Sequence, residues 1–386
     1  MKQKLFYLLL CMLQFALSTQ AQEVPKEEFK PSGKISGQVF ADFQYKAHSD
    51  SGNIHGGKTQ YALANGYSDK YSSFDFRRIY LGYEYNFTER ISAQLLLAHE
   101  SNLDAAGNRT VYIKGANLRY KDIFKGTDII FGQQTTPTWA TLTEVIYGHR
   151  WVEKSIADMR GLASATDFGI TLQGKYKDET VGYFVMAGND NGGRPENDKF
   201  KRFYCEVWAK FLNKKLVVDL YADYKQTQVI PFAKSAMLLK GVVAYQSDAV
   251  TVGVEVISQT LRNYDYFFPT TDTSASARDT GNAVAFGWSV YAFAPIIKDK
   301  LEIFARYDAW DPDTKYSSNN TYFYSSINGH VKETFLNIGF DWTAAKNIHL
   351  MPNLWLNSYS DKAQGASGKI KSDYDMDVRL TAFWKF

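Results

Sequence analysis

Residues 373–386 read DYDMDVRLTAFWKF and alternate apolar and polar side chains up to the last position of the chain. Successive side chains of a β-strand point to opposite faces, so Val378 and Leu380 share one face while Asp377 and Arg379 share the other. The segment ends on a phenylalanine. A strand that has lipid on one face, water on the other and aromatic residues at the membrane boundary shows this pattern. The segment therefore predicts a strand of a transmembrane β-barrel.

The same alternation recurs along most of the chain and predicts about sixteen strands. The fold class that follows is all-β, a transmembrane antiparallel β-barrel. The predicted strands span residues 34–46, 75–87, 91–100, 111–120, 128–134, 166–177, 180–188, 200–211, 216–225, 236–246, 250–260, 282–294, 300–310, 334–342, 348–358 and 373–386.

The lengths of the connections also indicate a membrane barrel. Short links such as 88–90 and 213–215 alternate with long ones such as 135–165 and 311–329, and only 121–127 departs slightly from the rule. Outer-membrane barrels have short periplasmic turns, long extracellular loops and an even number of strands. A soluble all-β protein is the alternative that composition leaves open. Such a protein has no reason to alternate short and long connections regularly along the chain.

Composition agrees with a barrel and excludes some partners. Hydrophobic residues make up 45% of the 386 positions and aromatic residues 16%, while the mean hydropathy is −0.34. A low mean hydropathy is expected where every second strand residue faces a polar lumen. The formal net charge is only +3 and no basic stripe is present, so we expect outer-membrane lipids and no nucleic acid as partners.

The N-terminus resembles a secretory signal. Residues 1–21 combine Lys2 and Lys4 with the apolar run Leu5–Leu17, which is too short to span a bilayer as a helix. A retained anchor helix is the alternative. We expect a signal peptide at 1–21, a flexible periplasmic lead at 22–33 and the barrel at 34–386, exported through the periplasm to a Gram-negative outer membrane.

A sixteen-stranded barrel leaves an aqueous channel by default. The sequence therefore predicts an outer-membrane porin for passive diffusion of small hydrophilic solutes or ions. The alternative is a structural or ligand-binding barrel that its loops close. Cys205 is the single cysteine outside the signal, so no internal disulfide is expected, and it falls on the apolar face of its strand.

The segment 135–165 is the candidate constriction loop. It lacks strand alternation and carries charges of both signs. Loops of this length usually have a function, and a porin loop that folds into the lumen sets selectivity through its charges. An outside lid or a subunit-contact loop is the alternative.

Three patches of sequence carry a family resemblance. They are Phe74–Glu84, Gly132–Gln134 followed by Pro137, and Glu153–Ser155 leading to Asp167–Gly174. They resemble the phosphate-selective porin O and P family, and the sequence style is similar to that of the Bacteroidetes lineage. The resemblance implies a homotrimeric, sixteen-stranded outer-membrane channel for small anions such as phosphate, with arginine and lysine side chains guiding them.

Five basic residues are the candidates for contact with an anion in the pore. Arg78 and Arg119 face inward by strand parity, and Arg150, Lys154 and Arg160 lie in the candidate constriction loop. The arginine fork matches two phosphate oxygens. The same loop also carries acidic residues, so a weakly selective pore fits the residues as well, and a solvated wall position is the alternative for each.

We expect no enzymatic activity, no cofactor and no metal site. The six histidines are scattered without metal-ligand spacing. His99 near Glu100 and Ser101 could be assembled into a catalytic set at the outer end of a strand. Three acids could in principle bind calcium at the outer rim, although an ordinary acidic turn explains them as well. They are Asp308, Asp311 and Asp313.

Overall fold

We describe a computed structural model of the chain over residues 29–50, 54, 69–100, 103–228, 233–269, 271–272, 279–323, 329–363 and 372–386. The predicted signal peptide and most of the predicted lead lie outside these residues. The strands are β1 Ser32–His48, β2 Ser72–Asn86, β3 Ile91–His99, β4 Tyr112–Phe124, β5 Thr127–Thr135, β6 Thr166–Tyr176, β7 Val181–Gly188, β8 Arg202–Phe211, β9 Leu216–Gln228, β10 Lys234–Gln246, β11 Thr251–Pro269, β12 Asp279–Ile297, β13 Leu301–Asp311, β14 Asn320–Phe323, β15 Val331–Ala345, β16 Ile348–Asp361 and β17 Ser372–Lys385.

Sixteen of these strands form a closed antiparallel barrel, as predicted. Each pairs with its neighbour along the chain, and β17 pairs with β1 to close the circle, with Asp42 opposite Thr381. The exception is the short strand β14, which the sequence did not predict. It pairs with the extended end of β11, while β13 pairs directly with β15. Because the barrel is closed, the backbone N–H and C=O groups of the first and last strands are hydrogen-bonded to each other. Lipid could not supply hydrogen-bonding partners for these groups.

The predicted alternation places apolar side chains outside and polar ones inside. Val243, Val254 and Val290 stand side by side across three strands, and all three are exposed on the outer face. One residue further along β11, Glu255 is buried inside the barrel opposite Ser289. On β17 the inward residues Asp377 and Arg379 are buried as well, whereas Val378 and Leu380 are exposed, as the alternation predicted.

One irregularity changes the facing of a charged residue. The β1–β2 pairing passes from Phe40 opposite Arg78 to Ala41 opposite Phe76, so Arg77 is an extra residue on β2. Arg77 and Arg78 are both buried inside the barrel, while Phe76 is exposed outside. A β-bulge redirects side chains in this way. Strand parity alone would place Arg77 on the lipid face.

The two rims of the barrel differ. The short-turn rim carries the turns between β2 and β3, β4 and β5, β6 and β7, β8 and β9, β10 and β11, β12 and β13, and β15 and β16, together with both ends of the barrel chain. The long-loop rim carries the remaining connections. At the short-turn rim, the backbone N–H of Gly37 donates to the carbonyl of Phe386, and the backbone N–H of Phe386 donates to the carbonyl of Gly37. Among the described residues, no helix is both long and apolar enough to cross a membrane.

Candidate functional site

The connection between β5 and β6, residues 135–165, lies inside the barrel; we call it the inner loop. Its threonines reach inward-facing residues of distant strands. The hydroxyl oxygens of Thr138 and Tyr221 on β9 are 2.8 Å apart, and Thr141 donates to Glu206 on β8 at 2.7 Å. The structure therefore places this segment within the lumen, at the position that a constriction loop requires.

Apolar packing holds one side of the inner loop against the wall. Trp139, Ile156 and Leu162 are buried in a cluster with inward apolar residues of β7 to β13. The other members of that wall are Phe184, Met186, Tyr204, Trp208, Tyr221, Leu238, Ile257, Ala285 and Trp310. Because these side chains occupy lumen-facing positions, a barrel that held only water would expose them at a cost of about 25 cal/mol per Å² of apolar surface.

The inner loop contains two short helices, α1 Thr143–Tyr147 and α2 Ile156–Met159. Gly148 ends α1 with φ of 73°, a left-handed conformation that glycine adopts without strain. Its backbone N–H donates to the carbonyl of Glu144. The turn directs the following residues, His149 to Lys154, along the wall formed by β13 to β17 and β1 to β2.

A cavity of about 470 Å³ lies beneath the inner loop at the short-turn rim, and a second of about 550 Å³ lies beside it. The second separates the inner loop from the wall of β1 to β4; we call it the side passage. Its loop side includes Glu144, Val145 and Arg150, and its wall includes Lys114 and Lys385. The further wall residues are Ser36, Gly37, Gln38, Phe40, Tyr80, Gly82, Gln94, Leu96 and Phe383.

Ion pairs organise the charges of the inner loop. Arg150 pairs with Glu144 and lies 3.8 Å from Asp158, which in turn lies 3.7 Å from Lys154. Arg78 lies 3.8 Å from Glu153. Three of the five predicted basic residues, Arg78, Arg150 and Lys154, therefore come together where the inner loop meets the wall.

The other two predicted residues lie elsewhere. Arg160 is buried, donates to Glu333 at 2.6 Å and stacks over Trp310, so it fastens the loop to the wall of β13 to β15. Arg119 faces the lumen, as strand parity predicted, and donates to Gln173 at 3.0 Å in a separate cavity of about 290 Å³. Neither lines the side passage.

Three further basic residues contact the site, and the sequence reading did not select them. Arg77 donates to the carbonyl of Trp151, and Arg306 donates to the carbonyl of Lys154. Lys114 lines the side passage and donates to Glu100 at 2.7 Å. Arg306 occupies an inward position of its strand, so parity could have found it. Arg77 and Lys114 are each the extra residue at a shift in register, and these bulges bring them inward against the parity of their strands.

Glu100, just beyond the end of β3, neutralises part of this positive charge. Burial alone would raise its pKa, but the charge of Lys114 and hydrogen bonds from Lys114, Tyr112 and Tyr80 outweigh burial and hold the pKa below its ordinary value. Glu100 therefore stays ionised near neutral pH and pairs with Lys114.

The grouping that the sequence offered for catalysis lies partly outside the described residues, and two of the three acids that it offered for calcium already have basic partners. Nδ1 of His99 donates to the carbonyl of Thr110 at 3.0 Å, and Ser101 lies outside the described residues. Asp308 is held by Arg306 inside the barrel. Asp311 accepts from Lys362 at 2.7 Å. Cations of the chain thus already pair with two of the three acids.

Comparison with solved structures identifies the fold. The outer membrane channel DcaP of Acinetobacter baumannii superposes with a TM-score of 0.60 at 15% identity, over 93% of this chain and 99% of that one. The anion-selective porin from Comamonas acidovorans gives 0.58 at 13%, over 92% and 100%. The trimer form of OmpT, an outer membrane protein of Vibrio cholerae, gives 0.56 at 12%, over 93% and 100%.

The chain has the fold of outer-membrane porins. The likeness extends over nearly the whole length of both partners, but identities this low establish the fold alone. No family model and no curated protein matches the chain. Membership of the phosphate-selective porin O and P family therefore stays a prediction.

Proposed function

We propose that this protein is a passive diffusion channel for small hydrophilic solutes and ions in a Gram-negative outer membrane. The observation that carries the proposal is the side passage, a cavity of about 550 Å³ between the inner loop and the wall of β1 to β4. It begins at Gln38 and Lys385 on the short-turn rim and reaches Lys114 and Arg150. In this orientation the short-turn rim faces the periplasm.

We further propose a modest preference for anions. The charged groups that line the side passage are three cations, Lys114, Arg150 and Lys385, and one anion, Glu144. The preference is modest because Glu100 pairs with Lys114, and Glu144 pairs with Arg150. Phosphate fits this lining through charge-assisted hydrogen bonds from the arginine fork.

Planar-bilayer recordings test both parts. The mature chain should open in steps, and its reversal potential across a KCl gradient should show anions permeating faster than cations. Replacing Arg150 and Lys385, two cations of the side passage, together by Gln should move the permeability ratio towards one. Lys214→Gln is the matched control, since Lys214 is exposed in the turn between β8 and β9. An unchanged ratio in the double variant would refute the proposed role of these two residues.

A second function has one observation in its favour. The inner loop buries Trp139, Ile156 and Leu162 against the wall, so it closes much of the lumen. A structural or ligand-binding barrel closed by its loop would have this packing. Such a barrel would insert into bilayers without any stepwise conductance, and that result would decide against the channel.

Assembly and export complete the proposal. One structure with this fold is described as a trimer form, and we propose a homotrimer here as well. Sedimentation in detergent of matched density would give the subunit number.

We also propose removal of residues 1–21 on export, which N-terminal sequencing of the outer-membrane fraction would show as a chain that begins at Gln22.

A further inference from the structure

Two carboxylates face each other inside the barrel near the short-turn rim. Glu302 on β13 and Asp341 on β15 are direct cross-strand partners. Like charges in directly opposite positions destabilise a strand pair. Neither forms an ion pair with Lys298 or Lys300, the cations of the same cavity, among the residues that the structure describes. The basic groups next to these acids are instead two histidines, His149 beside Glu302 and His349 beside Asp341.

The inner loop brings a histidine to the same point. His149 is buried, and its Nε2 lies 3.0 Å from a carboxylate oxygen of Glu302. One ligand atom from each of His149, Glu302 and Asp341 can be chosen so that all three lie within 4.8 Å of one another. These residues are far apart in sequence, which is why histidine spacing gave no sign of the cluster.

The tautomer of His149 directs a lone pair at the acids. Its Nδ1 lies 3.4 Å from the carbonyl oxygen of Tyr147 and can only donate there. Nε2 is buried and makes no hydrogen bond of ordinary geometry with any described residue, despite its nearness to Glu302. An imidazole lone pair and a carboxylate oxygen at this distance need a cation between them, either a proton or a metal ion.

The surroundings fix this geometry. The imidazole of His149 packs between the rings of Phe293 and Phe304, with centroid distances of 4.8 and 4.7 Å. Asp341 accepts a hydrogen bond from Nδ1 of His349 at 2.8 Å. Hydrogen bonds that orient ligating carboxylates are typical of metal sites in proteins.

The cluster is open to solutes from the short-turn side. His149, Glu302, Asp341 and His349 all line the cavity of about 470 Å³ beneath the inner loop. The other charged groups of this cavity are two acids and two lysines, Asp248, Asp299, Lys298 and Lys300. A small hydrated ion can therefore reach the cluster without passing the inner loop.

We propose that His149, Glu302 and Asp341 form a binding site for a divalent transition-metal ion of the Zn²⁺ class. Zn²⁺ is bound by imidazole nitrogen and carboxylate oxygen, and three protein ligands leave a position for water. The mixed nitrogen and oxygen set favours such an ion over Mg²⁺ and Ca²⁺, which prefer oxygen ligands alone. The bound ion would relieve the repulsion between the acids and fasten the inner loop to β13 and β15.

Metal titration of the untagged mature chain in detergent tests the proposal. After dialysis against a chelator, calorimetry should show one Zn²⁺ per chain, and Co²⁺ should give the visible absorption of a low-coordinate site. Glu302→Gln and Asp341→Asn preserve side-chain size, and each should weaken Zn²⁺ binding by about 10-fold or more, since even outer-shell partners are worth 10–100-fold. His149→Gln should do the same.

The matched control is His330→Gln, since His330 also pairs with a carboxylate, that of Asp361, but at the long-loop rim. It should keep one ion per chain at wild-type affinity. Far-ultraviolet circular dichroism verifies the fold of each variant, and the carboxylate variants decide the question should His149→Gln not fold. Absence of Zn²⁺ binding by the wild type would refute the proposal. Full affinity in both carboxylate variants, or loss of binding in His330→Gln, would also overturn the proposal.

Discussion

Arg77 and Arg78 are consecutive residues of one strand, yet both side chains lie inside the barrel. The bulge on β2 makes this possible, and the two arginines then bind consecutive carbonyls of the inner loop. Arg77 donates to Trp151, and Arg78 donates to Arg150 at 3.3 Å. The bulge thus supplies two adjacent cationic anchors at the point where the inner loop approaches β2.

Loss of one anchor should loosen the inner loop. Arg77→Gln removes a charged donor to the Trp151 carbonyl and a cation beside Asp42, with which Arg77 pairs. Hydrogen bonds to charged groups contribute about 1.5–3 kcal/mol each. We expect larger current fluctuations in single-channel recordings and faster proteolysis within residues 135–165.

The control for this variant is Arg90→Gln. Arg90 also donates to backbone carbonyls, those of Lys121 and Asp122, but on the exposed short-turn rim. Its current fluctuations should match those of the wild type. Equal noise in both variants would mean that Arg77 does not hold the inner loop.

A buried ion pair on β13 should matter more for stability than an exposed one. Arg306 donates from two nitrogens to Asp308, and both side chains are almost fully buried. Removing one partner of a buried pair costs about 3–5 kcal/mol, because the other charge stays buried. Arg306→Ala should lower the free energy of unfolding in vesicles by that amount, as measured by denaturant titration.

The comparison variant for Arg306 is Lys214→Ala. Lys214 pairs with Asp178 between two exposed turns, at 2.5 Å. Solvent screens such pairs, so this variant should unfold at the same denaturant concentration as the wild type. A similar loss in both variants would contradict the burial argument.

The cost of placing a charge on the lipid-facing surface should depend on its depth in the bilayer. Val254 is exposed between Val243 and Val290 on the outer face, away from the rims. Arginine on the lipid face costs about 2–4 kcal/mol at the bilayer midplane and about 0–1 kcal/mol near the interfaces. Val254→Arg should therefore unfold more easily than Val181→Arg, the same change at the first residue of β7. Equal stabilities would mean that β11 has the opposite facing.

Strand positions and the closed barrel could be predicted from the sequence because the two-residue alternation is strong. The outer positions Val254 and Leu380 and the inner positions Glu255 and Arg379 are all placed correctly. The short strand β14 was missed, since it pairs only with the extended end of β11 and has too few residues to show a pattern.

The site was harder to predict because its contacts join residues from separate parts of the chain. Arg150 and Lys154 were selected as loop charges, but Arg160 turned out to pair with Glu333 against the wall. Parity also misplaces Arg77, because it assumes an unbroken register and the bulge interrupts it. The meeting of His149 with Glu302 depends on how the inner loop packs, and no local pattern encodes that.

Val145 provides the most direct test of the side passage. Val145 is 68% exposed although it belongs to the inner loop, and it lines the side passage. Val145→Cys should therefore react with a methanethiosulfonate reagent from the water phase, and the added bulk should lower the single-channel conductance. The native Cys205 lies on the outer face and is replaced by Ser in all variants. Val185→Cys, the same change on the outer face beside residue 205, should keep its conductance under the same treatment. Complete modification of Val145→Cys, verified by mass, with no change in conductance would show that ions cross the barrel by another route.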